Sequence, residues 1–316
     1  KLNLEFTSGT LDTDIKSLKK AARQGVSEEL SKRVTEIMKG KDVSLNDNYK
    51  IYWKNNPIAK IKRGINYLSP EIDIIADETI DLDSKKVLYN FLSTWLKNHI
   101  SQELYDLINL TKSKNKNRYI RALSFRLYEN NGILKRNDVK DIVASIPKED
   151  RKQFRNLGIK IGRYHIFLPK MLKPKAVYLR ILLWKFYNNV LNISEIPKPG
   201  LNFLVEDRVN FNRSFLLLCG FEKFKSFYVR VDILEKLFLK IIENTKDHKF
   251  EISSEMMNLL GCSKENFNTL MSLMNYKKIK DSKNIFFYAG NREIKKKSKF
   301  ISTKHNPFKK LESLKI

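Results

Sequence analysis

The sequence predicts a mainly α chain with one small β insertion: a helical bundle, then a winged-helix-like unit and a basic tail. Three observations predict it. Apolar residues recur at helical spacing through most of the chain. The period changes to two over residues 49–76. From Leu234 to Tyr288 the order runs helix, strand, helix, turn, helix, hairpin, which is the order of a winged helix.

Residues 1–45 form a helical segment. Leu11, Ile15, Leu18 and Ala22 share one face, and Leu30, Val34, Ile37 and Met38 form a second apolar set. Gly40 suits a C-cap, and the polar run to Asn48 reads as a loop. Residues 46–80 form the β insertion. Tyr49-Lys-Ile-Tyr-Trp53 alternates, Asn55-Asn-Pro57 turns the chain, Ile58-Ala-Lys-Ile61 alternates again, and Ile72 to Ala76 is a third strand.

Residues 81–200 read as a helical bundle. Asp83 can cap a helix carrying Leu88, Leu92, Trp95 and Leu96. A second helix carries Ile120, Leu123 and Leu127, and a third runs from Asn137 to Ser145. Pro147 begins another, ending near Gly158. Helix 175–191 stops before Pro197-Lys-Pro-Gly200, a boundary signal.

In the winged-helix-like unit, 201–290, Leu234, Leu237, Phe238, Ile241 and Ile242 form a stripe. Lys249 to Ser253 is a strand. Gly261 ends a helix from Ser254, and Ser263 caps the next, which bears Phe267, Leu270 and Met271. Lys278-Ile-Lys280 and Ile285 to Tyr288 make the hairpin. The tail, 291–316, is basic and low in large apolar residues, as expected of a segment disordered without a ligand.

The chain has 316 residues and a net charge of +26. Each Lys or Arg set against a phosphate releases counterions, so nucleic acid leads as partner. Lysines outnumber arginines about threefold, a bias that composition alone can also produce. No apolar run is long enough to span a membrane. Two cysteines, Cys219 and Cys262, lack C-x-x-C spacing, which fits reduced thiols in the cytoplasm. The start at Lys1, with no leader, suits a fragment of a longer protein.

Catalytic patterns are missing. The sole Gly-Lys pair, Gly40-Lys41, has Thr35 in place of the first glycine of a phosphate loop and Asp42 in place of its Ser or Thr. Ile72-Asp-Ile-Ile-Ala-Asp-Glu78 mimics a magnesium-holding strand end, but reads as an ordinary strand with a polar terminus. His99, His165, His248 and His305 have no partners at metal-ligand spacing. No metal or cofactor is expected in this chain, and no catalytic residue.

Binding features are concentrated in residues 154–184, FRNLGIKIGRYHIFLPKMLKPKAVYLRILLW. Bulky apolar residues alternate there with Arg163, Lys170, Lys173, Lys175 and Arg180. Pro169 and Pro174 stiffen the backbone and reduce the entropy lost on contact. These cations are candidate phosphate contacts, or a solvated loop. His165 reads as a base or phosphate contact, or as a packed residue. In the winged-helix-like unit Lys264, Asn268 and Ser272 lie opposite the apolar stripe, and Lys264 and Asn268 are candidate contacts. Lys295, Lys296 and Lys297 of the tail complete the set. Trp53, Trp95 and Trp184 fall in apolar-periodic segments and read as core, although Trp53, on the small β unit, could stack a base.

The 154–184 block resembles the C-terminal block of the large superfamily-two helicases of alphaproteobacteria, relatives of the mitochondrial degradosome RNA helicase. Tyr49 to Ile61, Leu68-Ser-Pro70 and Ala76-Asp-Glu78 resemble the family's β insertion. Arg121 to Arg126 with Gly132-Ile-Leu134 resembles its next helical block, and Met256 to Cys262 and Asn306-Pro-Phe308 its last part. The resemblance covers nearly the whole chain in order. It implies an accessory region of an ATP-dependent helicase, guiding RNA or single-stranded DNA. The RecA-like motor, with its ATP and magnesium, would precede Lys1. It also implies a second reading, a docking module for a ribonuclease. A third, from the element order, is a winged-helix DNA-binding regulator.

Overall fold

The computed structural model describes residues 12–75, 81–112, 117–147, 149–190, 197, 200–205, 213–225, 227–279 and 285–288. It has about 54% helix and 20% strand. Two compact units divide the chain: the first is Lys1–Leu201 with Phe211–Phe221, the second Asn202–Asn210 with Glu222–Ile316.

The first unit opens with α1 (Asp12–Met38). Its end is set by Gly40, which has φ +70° and donates to the Ile37 carbonyl at 2.9 Å. Four strands follow: β1 (Val43–Leu45), β2 (Lys50–Trp53), β3 (Asn56–Lys62) and β4 (Glu71–Ile74), an antiparallel sheet in sequence order. The stretch read from sequence as a loop thus supplies β1, whose three residues are too few to display a period. Ile51, Ala59, Ile61 and Ile72 are buried, while Lys60 and Lys62 are exposed. Lys60 pairs across the sheet with Asp73 at 3.1 Å.

Three helices come next: α2 (Leu82–Glu103), α3 (Tyr105–Lys112) and α4 (Arg118–Glu129). Asp81, not Asp83, caps α2: its carboxylate accepts from the Ser84 N–H at 2.9 Å, and Asp83 falls in the first turn. Leu88, Leu92, Leu96 and Ile100 recur every fourth residue and are all buried. Each contributes about 1.5–3 kcal/mol of burial, which makes this helix a main support of the unit.

After β5 (Ile133–Lys135) and a 3-10 turn at Arg136–Val139 come α5 (Lys140–Ala144) and α6 (Arg151–Asn156). β6 (Lys160–Ile161) and β7 (His165–Phe167) pair with β5 in the order β5-β7-β6. A second 3-10 turn, Pro169–Leu172, leads into α7 (Pro174–Asn188), and α8 (Arg213–Leu218) belongs to the same unit. Residues 81–200 are therefore not helices alone, because a three-stranded sheet is built among them. The β insertion and the helices share one core. Tyr49 lies 5.1 Å from the Phe186 ring, and the Arg63 guanidinium lies 4.9 Å over the Tyr187 ring.

The second unit holds β8 (Phe203–Val205), β9 (Phe221–Phe224, from Glu222 onward) and β10 (Phe227–Arg230), ordered β8-β10-β9. β10 buries Phe227, Tyr228 and Val229 in succession, so it shows no alternation in the sequence. α9 (Val231–Glu243) buries Leu234, Leu237 and Ile241, whereas Ile242 of the expected stripe is 52% exposed. Then come β11 (Lys249–Glu251), α10 (Ser254–Leu260), α11 (Lys264–Leu273), β12 (Tyr276–Lys278) and β13 (Ile285–Tyr288), with β13 between β11 and β12. Ser253 accepts from the Met256 N–H at 3.3 Å and Ser263 from the Asn266 N–H at 3.2 Å, capping α10 and α11. Gly261 ends α10 at φ +71°.

The fold is thus mixed α/β with several small antiparallel sheets, more strand-rich than the expected helical bundle with one β insertion. Among the described residues no helix is long and apolar enough to cross a membrane.

Candidate nucleic-acid interface

Both prolines of the basic block stand at helix starts. Pro169 opens the second 3-10 turn and Pro174 opens α7, where the missing N–H is not needed. Lys173, between them, is extended at φ −71°, ψ 144°, as a residue before proline must be. Lys173 and Lys175 are exposed, and so is Arg163 in the turn between β6 and β7.

Three members of the candidate set are otherwise engaged. Lys170 is exposed, but its Nζ lies 3.0 Å from Oδ1 of Asp106, whose side chain is only 6% exposed. A buried carboxylate needs that partner, so part of the lysine charge is already matched. Arg180 does not reach the surface at all. It is 0% exposed, and its Nη2 donates to the Met171 carbonyl at 2.5 Å while Nη1 donates to the Asn131 carbonyl. Burial lowers its pKa to about 10, so it stays charged at neutral pH. Around it burial pushes the Tyr67 phenol upward and the Cys219 thiol up to about 12. The Tyr67 hydroxyl donates to Asn131 Oδ1, beside the same turn. Arg180 is therefore an internal clamp, and its expected phosphate contact is corrected. His165 is corrected likewise. It sits on the central strand β7 and is 2% exposed, a packed residue out of reach of a strand.

The structure adds three cations that were not singled out from the sequence. A cleft of about 600 Å³ is lined by Arg136, Arg155 and Lys160, over apolar Ile146, Phe154 and Ile159. Val143 and Ile161 also line it, and among the described residues no carboxylate does. Arg136 Nη1 donates to the Gly162 carbonyl at 2.9 Å, which holds the guanidinium plane. Among the described residues none of the three cations pairs with a carboxylate. Gly158 closes the cleft at φ +74°; a Cβ there would lie 2.8 Å from Oδ2 of Asp106. The alternation of Ile159, Lys160 and Ile161 was a legible signal for Lys160. Arg136 left none, because it reaches the cleft through the pairing of β5 with β7.

In the second unit Lys264 is exposed at the start of α11. Asn268 is half-buried, and its Oδ1 has no hydrogen-bond partner among the described residues. Lys277 and Lys278 line a separate hollow of about 400 Å³ with Ser272 and Asn275. Lys295, Lys296 and Lys297 lie outside the described residues. Among the described residues no group of three His, Cys, Asp or Glu could hold a metal ion. Cys219 and Cys262 are free thiols. No family model, curated protein or solved structure matches the chain.

Proposed function

We propose that this chain is the nucleic-acid-binding accessory region of an ATP-dependent RNA or DNA helicase, holding a single strand for a RecA-like motor elsewhere in the protein. The observation that carries the reading is the cleft lined by Arg136, Arg155 and Lys160, set in a chain of net charge +26. Lys173, Lys175 and Arg163, exposed in the same block, extend the cationic surface. The succession α9, β11, α10, α11, β12, β13, with β13 central, supports a winged-helix unit with Lys264 exposed at the start of α11. ATP and magnesium belong to the motor. The residues here do not fit them: Gly40 closes α1 rather than opening a helix, so no amide cradle forms at the one Gly-Lys pair.

Binding of labelled single-stranded RNA, single-stranded DNA and duplex across a salt series tests this. The expected result is a steep log–log slope, about 0.7 per single-strand phosphate contact. Lys173→Ala and Lys175→Ala each reduce it by roughly that amount, and Lys170→Ala reduces it less because Asp106 holds that lysine. Weak binding of all three at low salt would sink the reading. Unchanged affinity in the combined lysine variant would favour a docking surface for a protein partner such as a ribonuclease.

A further inference from the structure

We infer that the cleft between α5, α6 and β6 seats one unstacked base of a single strand, its flanking phosphates lying on Arg136, Arg155 and Lys160. The inference rests on the nucleic-acid reading above and adds how the strand is held. Several features argue for this occupant. The lining is apolar at its floor and cationic at its sides, matching a nucleotide with its flat ring and its anionic linkages. A duplex keeps its bases stacked inside and offers only phosphates to such a surface, whereas a single strand can turn a base outward. An acidic peptide would satisfy the cations and leave the half-buried apolar wall of Val143 and Ile161 uncovered.

Two nearby carboxylates are already held by other partners. Asp106, behind Gly158, is matched by Lys170 at 3.0 Å. Asp150 accepts from Gln153 Nε2 at 2.9 Å and from the Asn117 side chain, and it does not line the cleft. Arg136 is tethered at one edge by the Gly162 carbonyl, which restrains its guanidinium. That tether reduces the side-chain entropy lost on binding. The volume of about 600 Å³ falls within the range of small-molecule sites and suits a nucleotide, not a helix of paired strands.

Fluorescence anisotropy with two labelled strands of equal phosphate number, oligo-dT and the same length of abasic sites, separates base from backbone. The expected result is at least about fivefold tighter binding of oligo-dT, since a stacked base contributes that much or more. Val143→Trp, which fills the cleft from its half-buried wall, removes the preference and leaves the salt slope unchanged. Arg155→Gln, at an exposed position, lowers the slope by about 0.7 for both strands. Equal affinity for the two strands with a normal slope overturns the base site while leaving backbone binding intact. No binding of either strand overturns both readings. A preference that survives Val143→Trp, an unchanged slope in Arg155→Gln, or equal competition by an oligoglutamate peptide also overturns the inference.

Discussion

Replacing Arg180 by Met will destabilise the first unit by about 2–4 kcal/mol and leave the salt dependence of strand binding unchanged. The guanidinium is enclosed and donates to two carbonyls, those of Asn131 and Met171. Each buried acceptor left without a donor costs about 1–3 kcal/mol. Against this, removing a buried charge recovers part of its desolvation penalty. Methionine fills most of the vacated volume, so the cavity contribution stays small, whereas Arg180→Ala adds one and should cost more. Tyr67→Phe removes one donor to Asn131 Oδ1 and should cost about 0.5–1.5 kcal/mol. Urea unfolding followed by tryptophan fluorescence measures these changes. Trp53, Trp95 and Trp184 all lie in the first unit, so the signal reports on it alone. A methionine variant within about 0.5 kcal/mol of the parent, or more stable, refutes the clamp, because the burial penalty would then exceed what the hydrogen bonds contribute. A slope lowered by about 0.7 with stability untouched would instead place Arg180 on phosphate.

Two further outcomes follow from the same region. Gly158→Ala forces a side chain into φ +74° and against Asp106 at 2.8 Å; a loss of about 1–3 kcal/mol is expected in the same urea assay, and an unaffected midpoint would show that the Asp106–Lys170 pair yields freely. His99, stacked on Trp95 at 5.3 Å, has its pKa lowered from 6.5 by burial, with Glu103 opposing and the Lys175 charge adding a smaller push downward. The unfolded chain therefore takes up this proton first. Stability is full above about pH 6.5 and declines as pH falls through the folded pKa. Thermal melts between about pH 5 and 7.5 should show that decline in the parent and a flatter profile in His99→Gln; identical profiles would exclude His99 as its source.

Local chemistry was legible in the sequence. Ser263 and Gly261 each act through a neighbour within four residues, so their caps could be read without knowing the fold, whereas Ser253, read as the end of a strand, caps α10. The four-residue rhythm of Leu88, Leu92, Leu96 and Ile100 likewise set the buried face of α2. β10, with three buried residues in a row, and β1, with three residues in all, carried too little pattern to be seen. The basic block divides along the same line. Lys173, Lys175 and Arg180 look alike in sequence, as cations spaced through an apolar helix start. α7 buries Ala176, Leu179, Ile181, Leu182 and Leu183, which lie around most of its circumference, so periodicity could not say which cation faced water. The sequence by itself determined that this chain is basic, cap-rich and without a phosphate loop. Tertiary structure decided which charges are free to meet a ligand. Arg180 is enclosed by the Asn131 and Met171 carbonyls and Lys170 is drawn to Asp106, while the sheet β5-β7-β6 brings Arg136 and Lys160 to one cleft. Such partners are set by strand pairing and burial, which residue spacing along the chain does not encode.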